Sequence, residues 1–360
     1  MRAVWYERHG PADVLHVGEM PDPTPGLGEV RVRIVTSGIN PSDWKRRQGL
    51  TQRLEFPRVI PHQDGAGVID RVGPGVPDAR LSERVWLYES QIDRPFGTAA
   101  EYTVQPAAHA VPLPPDTSFA DGAGLGVPAM TAHRCVFTDG PVAGKTVLVT
   151  GGAGAVGHYA IQLAKLHGAQ VIATVSSAQK AQIALAAGAD ATINYRTEDT
   201  VQRLRDITGG AGVDQIVEVD FAGNFTVSRE VLRSNGVLAV YAAGVAPQPS
   251  VPLQFKASNI TVRFVLVYDM PEPAKHAAVQ EITQLLEGGK LRHLAGPHFP
   301  LESARQAHQA VEGGAIGKVV LEVAEDPLMP CAIKTEIHTL RWSQEDRAGL
   351  IGATRPWVAA

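Results

Sequence analysis

Gly152, Gly154 and Gly157 are the residues of this 360-residue sequence that most directly indicate chemistry. They lie in the run Gly151-Gly152-Ala153-Gly154-Ala155-Val156-Gly157 with the spacing GxGxxG, after the apolar residues 146–150 and before a helical pattern. A backbone without Cβ atoms can approach a pyrophosphate closely, and the N-terminus of the following helix offers it unpaired N–H groups. A plain glycine-rich turn is the alternative, but the strand-turn-helix context favours a dinucleotide-binding site.

The end of the next strand indicates which dinucleotide binds. A site for NAD has an Asp or Glu about 20 residues after the glycines, because a carboxylate accepts a hydrogen bond from the ribose 2′-hydroxyl. This chain has Val175-Ser176-Ser177-Ala178-Gln179-Lys180 there, whose hydroxyls and ammonium can bind a 2′-phosphate. Tyr195-Arg196 follows the third strand and could close the same pocket. The sequence therefore favours NADP(H), although Lys180 could also be a solvated lysine of the first helical turn.

The elements that position these residues alternate regularly along the chain. In residues 126–262, apolar strands alternate with amphipathic helices, which predicts right-handed crossovers and a parallel sheet covered on both faces. Residues 1–125 read as short strands between Pro and Gly turns, which indicates a small barrel or a sandwich. In the strand at 29–35, charged and apolar residues alternate, which predicts one wet and one buried face.

The C-terminal third of the chain has a less regular pattern. Residues 263–326 end in a strand at 318–322, and its return to the first block would make the dinucleotide domain an insertion. In the tail, residues 327–360, Ile333, Ile337 and Leu340 have helical spacing. One short amphipathic helix and a loosely packed extension are both compatible with this pattern.

Composition excludes several classes of protein. Lys plus Arg is 33 against 37 for Asp plus Glu, and this net charge of -4 leaves no cationic excess to neutralise nucleic-acid phosphates. No apolar run approaches the ~20 residues of a membrane-spanning helix, and charge and Gly10-Pro11 come too early for a signal peptide. Cys135 and Cys331 form no CxxC, so we expect neither a disulfide framework nor a four-thiolate zinc lobe, and a cytosolic location is favoured.

Several motifs together resemble the medium-chain dehydrogenase/reductase superfamily, and within it the zeta-crystallin-like NADPH:quinone oxidoreductases. They occur in the family's order over residues 1–323 and comprise Ser37-Gly38-Ile39-Asn40-Pro41-Ser42-Asp43, Asp64-Gly65-Ala66-Gly67-Val68, Ala99-Ala100-Glu101-Tyr102, the glycine run, Ala178-Gln179-Lys180, Ala187-Gly188-Ala189, Ile193-Asn194-Tyr195-Arg196 and Gly317-Lys318-Val319-Val320-Leu321. The resemblance implies an α/β fold, a doubly wound Rossmann domain inserted into a mostly-β GroES-like domain. The implied divisions are 1–125 (GroES-like), 126–262 (Rossmann), 263–326 (return to the catalytic domain) and 327–360 (C-terminal extension).

The resemblance also implies that no metal takes part. Zinc-dependent members of the superfamily would need Cys at Asn40, His at Gln63 and a second Cys near Gly126, and His62 is one place off and isolated. Reduction of a quinone or an α,β-unsaturated carbonyl by hydride from NADPH remains, because conjugation spreads the incoming charge. A pathway-specific enone or enoyl-thioester reductase is an alternative. An NADPH-binding structural or interaction protein with little turnover is another.

Site residues are transferred from the family by position. Asn40, Asp43 and Thr131 are the expected catalytic residues, although Thr131 and Asp43 have ordinary structural alternatives, a helix position and a strand-end charge. A homodimer is expected through an edge strand near residues 260–262, and 51–56 lacks the tyrosine that relatives often place at the substrate mouth. The expected cofactor-binding residues are Asn40, Ser42, Asp43, Thr131, Gly152, Ala153, Gly154, Ala155, Val156, Ser176, Ser177, Lys180, Tyr195, Tyr241, Ala243, Gly244, Phe264, Val265 and Lys318, within segments that include 241–246 and 264–267.

Overall fold

The structure is a computed structural model that describes residues 1–244, 249 and 253–326. The tail predicted at 327–360 and the end of the loop predicted at 241–246 lie outside the described residues. The strands are β1 (Arg2–Trp5), β2 (His16–Glu19), β3 (Glu29–Gly38), β4 (Asp64–Val72), β5 (Arg84–Leu87), β6 (Tyr102–Pro106), β7 (Ala110–Pro112), β8 (Thr146–Val149), β9 (Gln170–Val175), β10 (Ala191–Asn194), β11 (Val213–Glu218), β12 (Leu232–Val240), β13 (Thr261–Phe264), β14 (Ala295–Pro300) and β15 (Lys318–Glu322).

Helices connect most of these strands, and a π-helical turn, Leu125–Ala129, leads into the third of them. They are α1 (Pro41–Gln48), α2 (Phe119–Gly122), α3 (Met130–Phe137), α4 (Ala155–Leu166), α5 (Ala178–Ala186), α6 (Thr200–Thr208), α7 (Phe221–Val231), α8 (Leu253–Ala257), α9 (Glu272–Glu287) and α10 (Ala304–Glu312). No helix in the described ranges is both long enough and apolar enough to cross a bilayer.

The middle of the chain forms a six-stranded parallel sheet in the order β10-β9-β8-β11-β12-β13. The chain winds outward from β8 in both directions, which is the doubly wound strand order of dinucleotide-binding domains. All four residues of β8 are buried because helices cover both faces, as the apolar strands predict. Val147 and Val149 pack with Ile161 of α4 in one core cluster, and Leu148 faces the opposite cluster with Ile216.

The first block and the end of the chain share a second sheet, in the order β14-β15-β3-β4-β5-β7 with β6 paired to β3. β15 lies antiparallel to β3, so the chain returns to its first domain after the Rossmann sheet. The predicted architecture, a Rossmann domain inserted into a mostly-β GroES-like domain, is confirmed. The prediction that one face of β3 is exposed to solvent is wrong, because Arg31 on that face is only 5% exposed. Its guanidinium binds Asp70 and stacks over Tyr102.

The predicted return to the first domain at residue 263 needs a correction. Strand β13 spans this boundary and pairs in parallel with β12, so it belongs to the Rossmann sheet. Residues of α9, among them Ala278 and Ile282, pack in the same core cluster as Val147 and Val171. The return therefore begins after α9, with β14, because the sixth strand and its following helix complete the Rossmann layer.

Asp43, for which a strand-end charge was the structural alternative, lies instead in the first turn of helix α1. Asn40 is its N-cap, Pro41 occupies the first turn and Asp43 completes a capping box. The Asn40 N–H donates to the Asp43 carboxyl group (2.7 Å), which satisfies a backbone donor at the start of the helix. The sequence Asn-Pro-Ser-Asp carries this signal, since Pro is common at the first helical position.

Candidate active site

A cavity of about 340 Å³ lies at the carboxyl ends of the parallel strands. Residues that follow β8, β9, β10, β11 and β12 line it from the Rossmann side, and the residues 39–41 and 311–319 line it from the GroES-like side. This is the crevice where open α/β sheets bind ligands, beside the point where the strand order reverses. The predicted site residues that line the cavity are Asn40, Ala153, Gly154, Ala155, Val156, Ser176, Lys180, Tyr195, Tyr241 and Lys318.

The glycine run forms the tight turn between β8 and α4. Gly151 has φ of +66°, and the Gly152 N–H donates to the Thr174 carbonyl (3.0 Å), which ties the turn to β9. A Cβ on Gly152 would lie 2.7 Å from the Cβ of Ala173, and one on Gly157 would overlap the Gly151 carbonyl. Backbone therefore packs against backbone here, and the N-terminus of α4 opens into the cavity. Gly152 itself packs beneath the turn and does not line the cavity.

Ser176, Lys180 and Tyr195 lie together at one end of the cavity. Ser177 caps α5 by accepting a hydrogen bond from the Lys180 N–H (3.3 Å), so it holds the helix while its neighbour faces the cavity. The half-buried Lys180 ammonium has no hydrogen bond or ion pair with any described residue. Among the described lining residues there is no Asp or Glu. An anionic group bound here would contact the Lys180 ammonium and the hydroxyls of Ser176 and Tyr195, and no described carboxylate would repel it.

Lys318, Asn40 and Asp64 form a buried polar cluster at the other end. The Lys318 ammonium donates to Asn40 Oδ1 (2.7 Å) and to Asp64 Oδ2 (2.8 Å), and Asn40 Nδ2 donates to the same carboxylate oxygen (2.8 Å). Asp64 Oδ1 accepts the Val127 N–H (2.8 Å). Lys318 is 8% exposed, so it does not face water although it is the first residue of a strand. Sequence reasoning did not give Asp64 a role in the site.

Comparisons with known proteins agree with this geometry. Residues 26–115 match the family model "Alcohol dehydrogenase GroES-like domain", and 155–287 match "Zinc-binding dehydrogenase". A 2-haloacrylate reductase from Burkholderia sp is 32% identical over 335 residues, 89% of this chain and 98% of that protein. The chain belongs to the medium-chain dehydrogenase/reductase superfamily. Its similarity to quinone oxidoreductases places it among the zeta-crystallin-like members.

Two solved structures of this superfamily are informative about the cofactor. A structure titled "NAD-dependent alcohol dehydrogenase" superposes with a TM-score of 0.82 and 32% identity, over 90% of this chain and 100% of that chain. The Escherichia coli quinone oxidoreductase complexed with NADPH has a TM-score of 0.80 and 27% identity, over 89% of this chain and 100% of that chain. The superfamily therefore includes a protein described as NAD-dependent and a protein that was solved with NADPH.

Zinc, which one of the matching family models names, does not fit the residues present. In the described part of the chain no three His, Cys, Asp or Glu side chains are grouped to hold a metal ion. Asn40 is engaged with Lys318 and Asp64, and Gln63 accepts the Gln91 N–H (2.9 Å). A Cβ on Gly126 would overlap the Asp64 carboxylate, so no cysteine fits there without a shift. The donor set lacks the thiolates and imidazoles that zinc requires.

His62 was predicted to be isolated, and the structure corrects this. His62 Nε2 lies 2.9 Å from Nε2 of His308, and the rings stack with centroids 5.1 Å apart. His62 Nδ1 shares a hydrogen bond with Ser37 Oγ (2.8 Å). Burial and the neighbouring cations lower the pKa of His62 well below its usual range, so both rings are neutral and packed in the GroES-like domain.

Three of the predicted residues near the nicotinamide end lie outside the cavity. Asp43 caps α1. Burial raises its pKa to about 7, because this effect outweighs the opposing effect of the hydrogen bond from the Asn40 N–H. Ser42 Oγ is 2.7 Å from the hydroxyl of Tyr268, so it joins α1 to the segment after β13. Thr131 is buried in α3. These positions stabilise the walls of the site and do not face its interior.

The remaining predicted positions belong to the Rossmann framework. The Ala222 N–H donates to the Ala243 carbonyl (3.1 Å) at the start of α7, and Gly244 has φ of +78° against Asp220. Val265 is buried, and its N–H donates to the Val240 carbonyl (2.7 Å). Phe264 is 67% exposed on the edge strand β13. None of these four residues lines the cavity.

Proposed function

We propose that the protein is a metal-free reductase that uses NADPH to reduce quinones or α,β-unsaturated carbonyl compounds. One observation carries this proposal. A single cavity joins a backbone phosphate cradle, a free lysine and a buried Lys-Asn-Asp cluster, and it has no carboxylate on its described lining. The cradle and the lysine would bind the cofactor, and the cluster would bind the polar end of the substrate.

Different residues of the chain would bind different parts of the cofactor. The turn at 153–156 and the N-terminus of α4 are suited to the pyrophosphate, because their side chains are small and the first turn of a helix leaves N–H groups without intrahelical partners. The Gly154 N–H is not one of these, since it donates to the Gly151 carbonyl (2.8 Å) within the turn. Ser176, Lys180 and Tyr195 are suited to a 2′-phosphate. When it is bound, NADPH supplies the hydride. The missing carboxylate favours NADPH over NADH, although one structural relative is titled NAD-dependent.

The class of substrate follows from the described residues of the crevice, whose side chains do not fit zinc. Without zinc to polarise an isolated carbonyl, the acceptor must disperse the incoming charge by conjugation. A 2-haloacrylate is an α,β-unsaturated acid, and quinones are conjugated diones, so both named relatives act on acceptors of this kind. The apolar lining by Ile39, Val127 and Ile316 suits such flat, mostly apolar molecules.

The decisive experiment follows the loss of NADPH absorbance with a panel of quinones, simple enones, an acrylate and an enoyl thioester. We expect turnover with at least one conjugated acceptor and none with an isolated ketone. Turnover of the thioester alone would support the pathway-specific alternative. Tight NADPH binding without turnover of any acceptor would overturn the proposal and support a binding protein.

A further inference from the structure

Lys318 is a cation at the end of the cavity opposite Lys180. It begins β15, and two of its three N–H donors are bound by Asn40 Oδ1 and Asp64 Oδ2. The third donor has no partner among the described residues. Lys318 lines the main cavity and also a second cavity of about 30 Å³, which Tyr159 and His293 line as well. The residue therefore borders two cavities, and one N–H donor of its ammonium is not accepted by any described residue.

The position of this ammonium is fixed by close packing. Gly38 of β3 lies beside it, and a Cβ there would be 2.6 Å from Lys318 Cε. Gly126 leaves the room that the Asp64 carboxylate occupies, and the Val127 N–H holds that carboxylate from the other side. A donor that is already in place costs no reorganisation when charge develops on a substrate.

The same ion pair decides what the ammonium can do. Asp64 is fully buried, and its carboxylate is paired with the Lys318 ammonium. Because an unpaired buried charge is strongly unfavourable, the two groups hold each other in place, and the ammonium serves as a hydrogen-bond donor. The small cavity that Lys318 borders has room for about two water molecules, which provides a separate source of protons.

We propose that Lys318 is the electrophile of the reaction, a catalytic residue whose free N–H donates to the carbonyl oxygen of the substrate. Asn40 and Asp64 are positioning residues. This inference rests on the proposed function. Hydride from NADPH forms a C–H bond at the β-carbon, the C=C electron pair moves toward the carbonyl, and the negative charge comes to lie on its oxygen. Lys318 stabilises this enolate, and a proton from water then adds to the α-carbon and restores the carbonyl.

The first test needs no turnover. 4-Nitrophenol is titrated into the enzyme saturated with NADP⁺, at a pH below the ligand's own pKa in water, where visible absorbance distinguishes the phenol from the phenolate. We expect the wild-type enzyme to bind the phenolate in preference, by about 10- to 100-fold, because a charge-assisted hydrogen bond holds the oxyanion. Bound ligand that stays neutral overturns the inference, whatever the variants do.

The second test removes both charges together. The double variant Lys318→Met/Asp64→Asn avoids leaving a buried carboxylate unpaired, and Lys165→Met/Asp190→Asn is the matched control because it removes an exposed ion pair (2.5 Å) away from the cavity. We expect the first variant to lose the phenolate preference and to lower kcat for an enone by about 100- to 1000-fold, the usual effect of removing an oxyanion donor. Its Kd for NADPH is measured alongside, so that a loss of cofactor binding is distinguished from a loss of kcat in the saturated enzyme.

The outcomes separate this inference from the proposed function. If the variant binds NADPH normally and reduces the enone at nearly the wild-type rate, Lys318 is not the electrophile, and the proposed function stands. If the wild-type enzyme binds NADPH and reduces no acceptor, the proposed function fails and this inference fails with it. If the double variant does not fold, the phenolate titration of the wild type decides alone.

Discussion

Removal of the Lys180 ammonium is the sharpest test of the cofactor site. Lys180→Met keeps the apolar stem of the side chain, and the cap of α5 is unaffected because Ser177 binds the backbone N–H of residue 180. The ammonium has no other partner among the described residues, so its loss breaks no internal ion pair. Lys145→Met is a matched control, because Lys145 is also a half-buried lysine of this sheet but precedes β8 at the opposite edge.

The magnitude follows from the half-buried position of Lys180. A charge-assisted hydrogen bond contributes about 1.5–3 kcal/mol when it is buried, and partial exposure screens it. We therefore expect a loss of about 1–2 kcal/mol, which raises the Kd for NADPH by about 5- to 30-fold. The Kd for NADH should change by less than about twofold, because no 2′-phosphate is present to meet the ammonium.

Fluorescence titration of both cofactors, with wild type, Lys180→Met and Lys145→Met, measures these constants directly. The effect of Lys180→Met on NADPH should also shrink at high salt, because the contact is partly exposed to solvent. An equal loss for NADH and NADPH would refute the assignment of Lys180 to the 2′-phosphate. So would an equal effect of the control.

Three further outcomes are expected. Gly157→Ala forces a Cβ onto the Gly151 carbonyl, so thermal unfolding should show a loss of about 1–3 kcal/mol and NADPH binding should weaken; wild-type values would contradict the cradle. Because burial raises the pKa of Asp43 to about 7, the folded chain binds more protons than the unfolded chain between about pH 4 and 7, and stability falls as pH rises. Between about pH 5 and 8, the free energy of unfolding of the wild type, measured with denaturant, should fall by about 2–3 kcal/mol more than that of Asp43→Asn. If the two proteins lose stability equally over this range, Asp43 does not titrate in this way. If the expected homodimer forms through the exposed edge strand β13, sedimentation should show a dimer for the wild type and a monomer for Phe264→Glu. Equal masses for the wild type and the variant would count against pairing through β13.

The cofactor half of the site could be predicted because its signals are local. The glycine run, the strand before it and Ser176 to Lys180 belong to one strand-helix-strand unit of consecutive residues. Parallel strands end at the same edge of the sheet, so residues that follow each strand must meet in space. The structure places Ala153, Ser176, Lys180, Tyr195 and Tyr241 on one cavity for that reason.

Residues beyond the fifth strand were predicted less well because their placement depends on packing across the sheet. The sixth strand, Thr-Val-Arg-Phe, alternates between polar and apolar residues and is largely exposed, so it lacks the buried apolar run of the central strands. The predicted boundary between residues 262 and 263 divided this strand between the two domains. Phe264 was assigned to the cofactor by position, yet the order β8-β11-β12-β13 puts it at the edge of the sheet, with two strands between β13 and β8, the strand that precedes the glycine turn. The strand order decides which segments reach the crevice, and it is fixed by the whole domain.

The substrate half combines residues that no local pattern connects. Asn40 and Asp64 are separated by 24 positions, and Lys318 lies 254 positions beyond Asp64. Asp64 begins β4 and Lys318 begins β15, and each strand pairs with β3 near Gly38, which brings the two residues to the same end of β3. A buried carboxylate is tolerated there only because the ammonium and two N–H donors satisfy it. The same dependence means that single substitutions of Asp64 and Lys318 must be strongly non-additive, since each leaves the other charge unpaired. The double variant is therefore expected to be more stable than either single variant, and a cycle of unfolding measurements that finds additive effects would show that the two side chains do not form this pair.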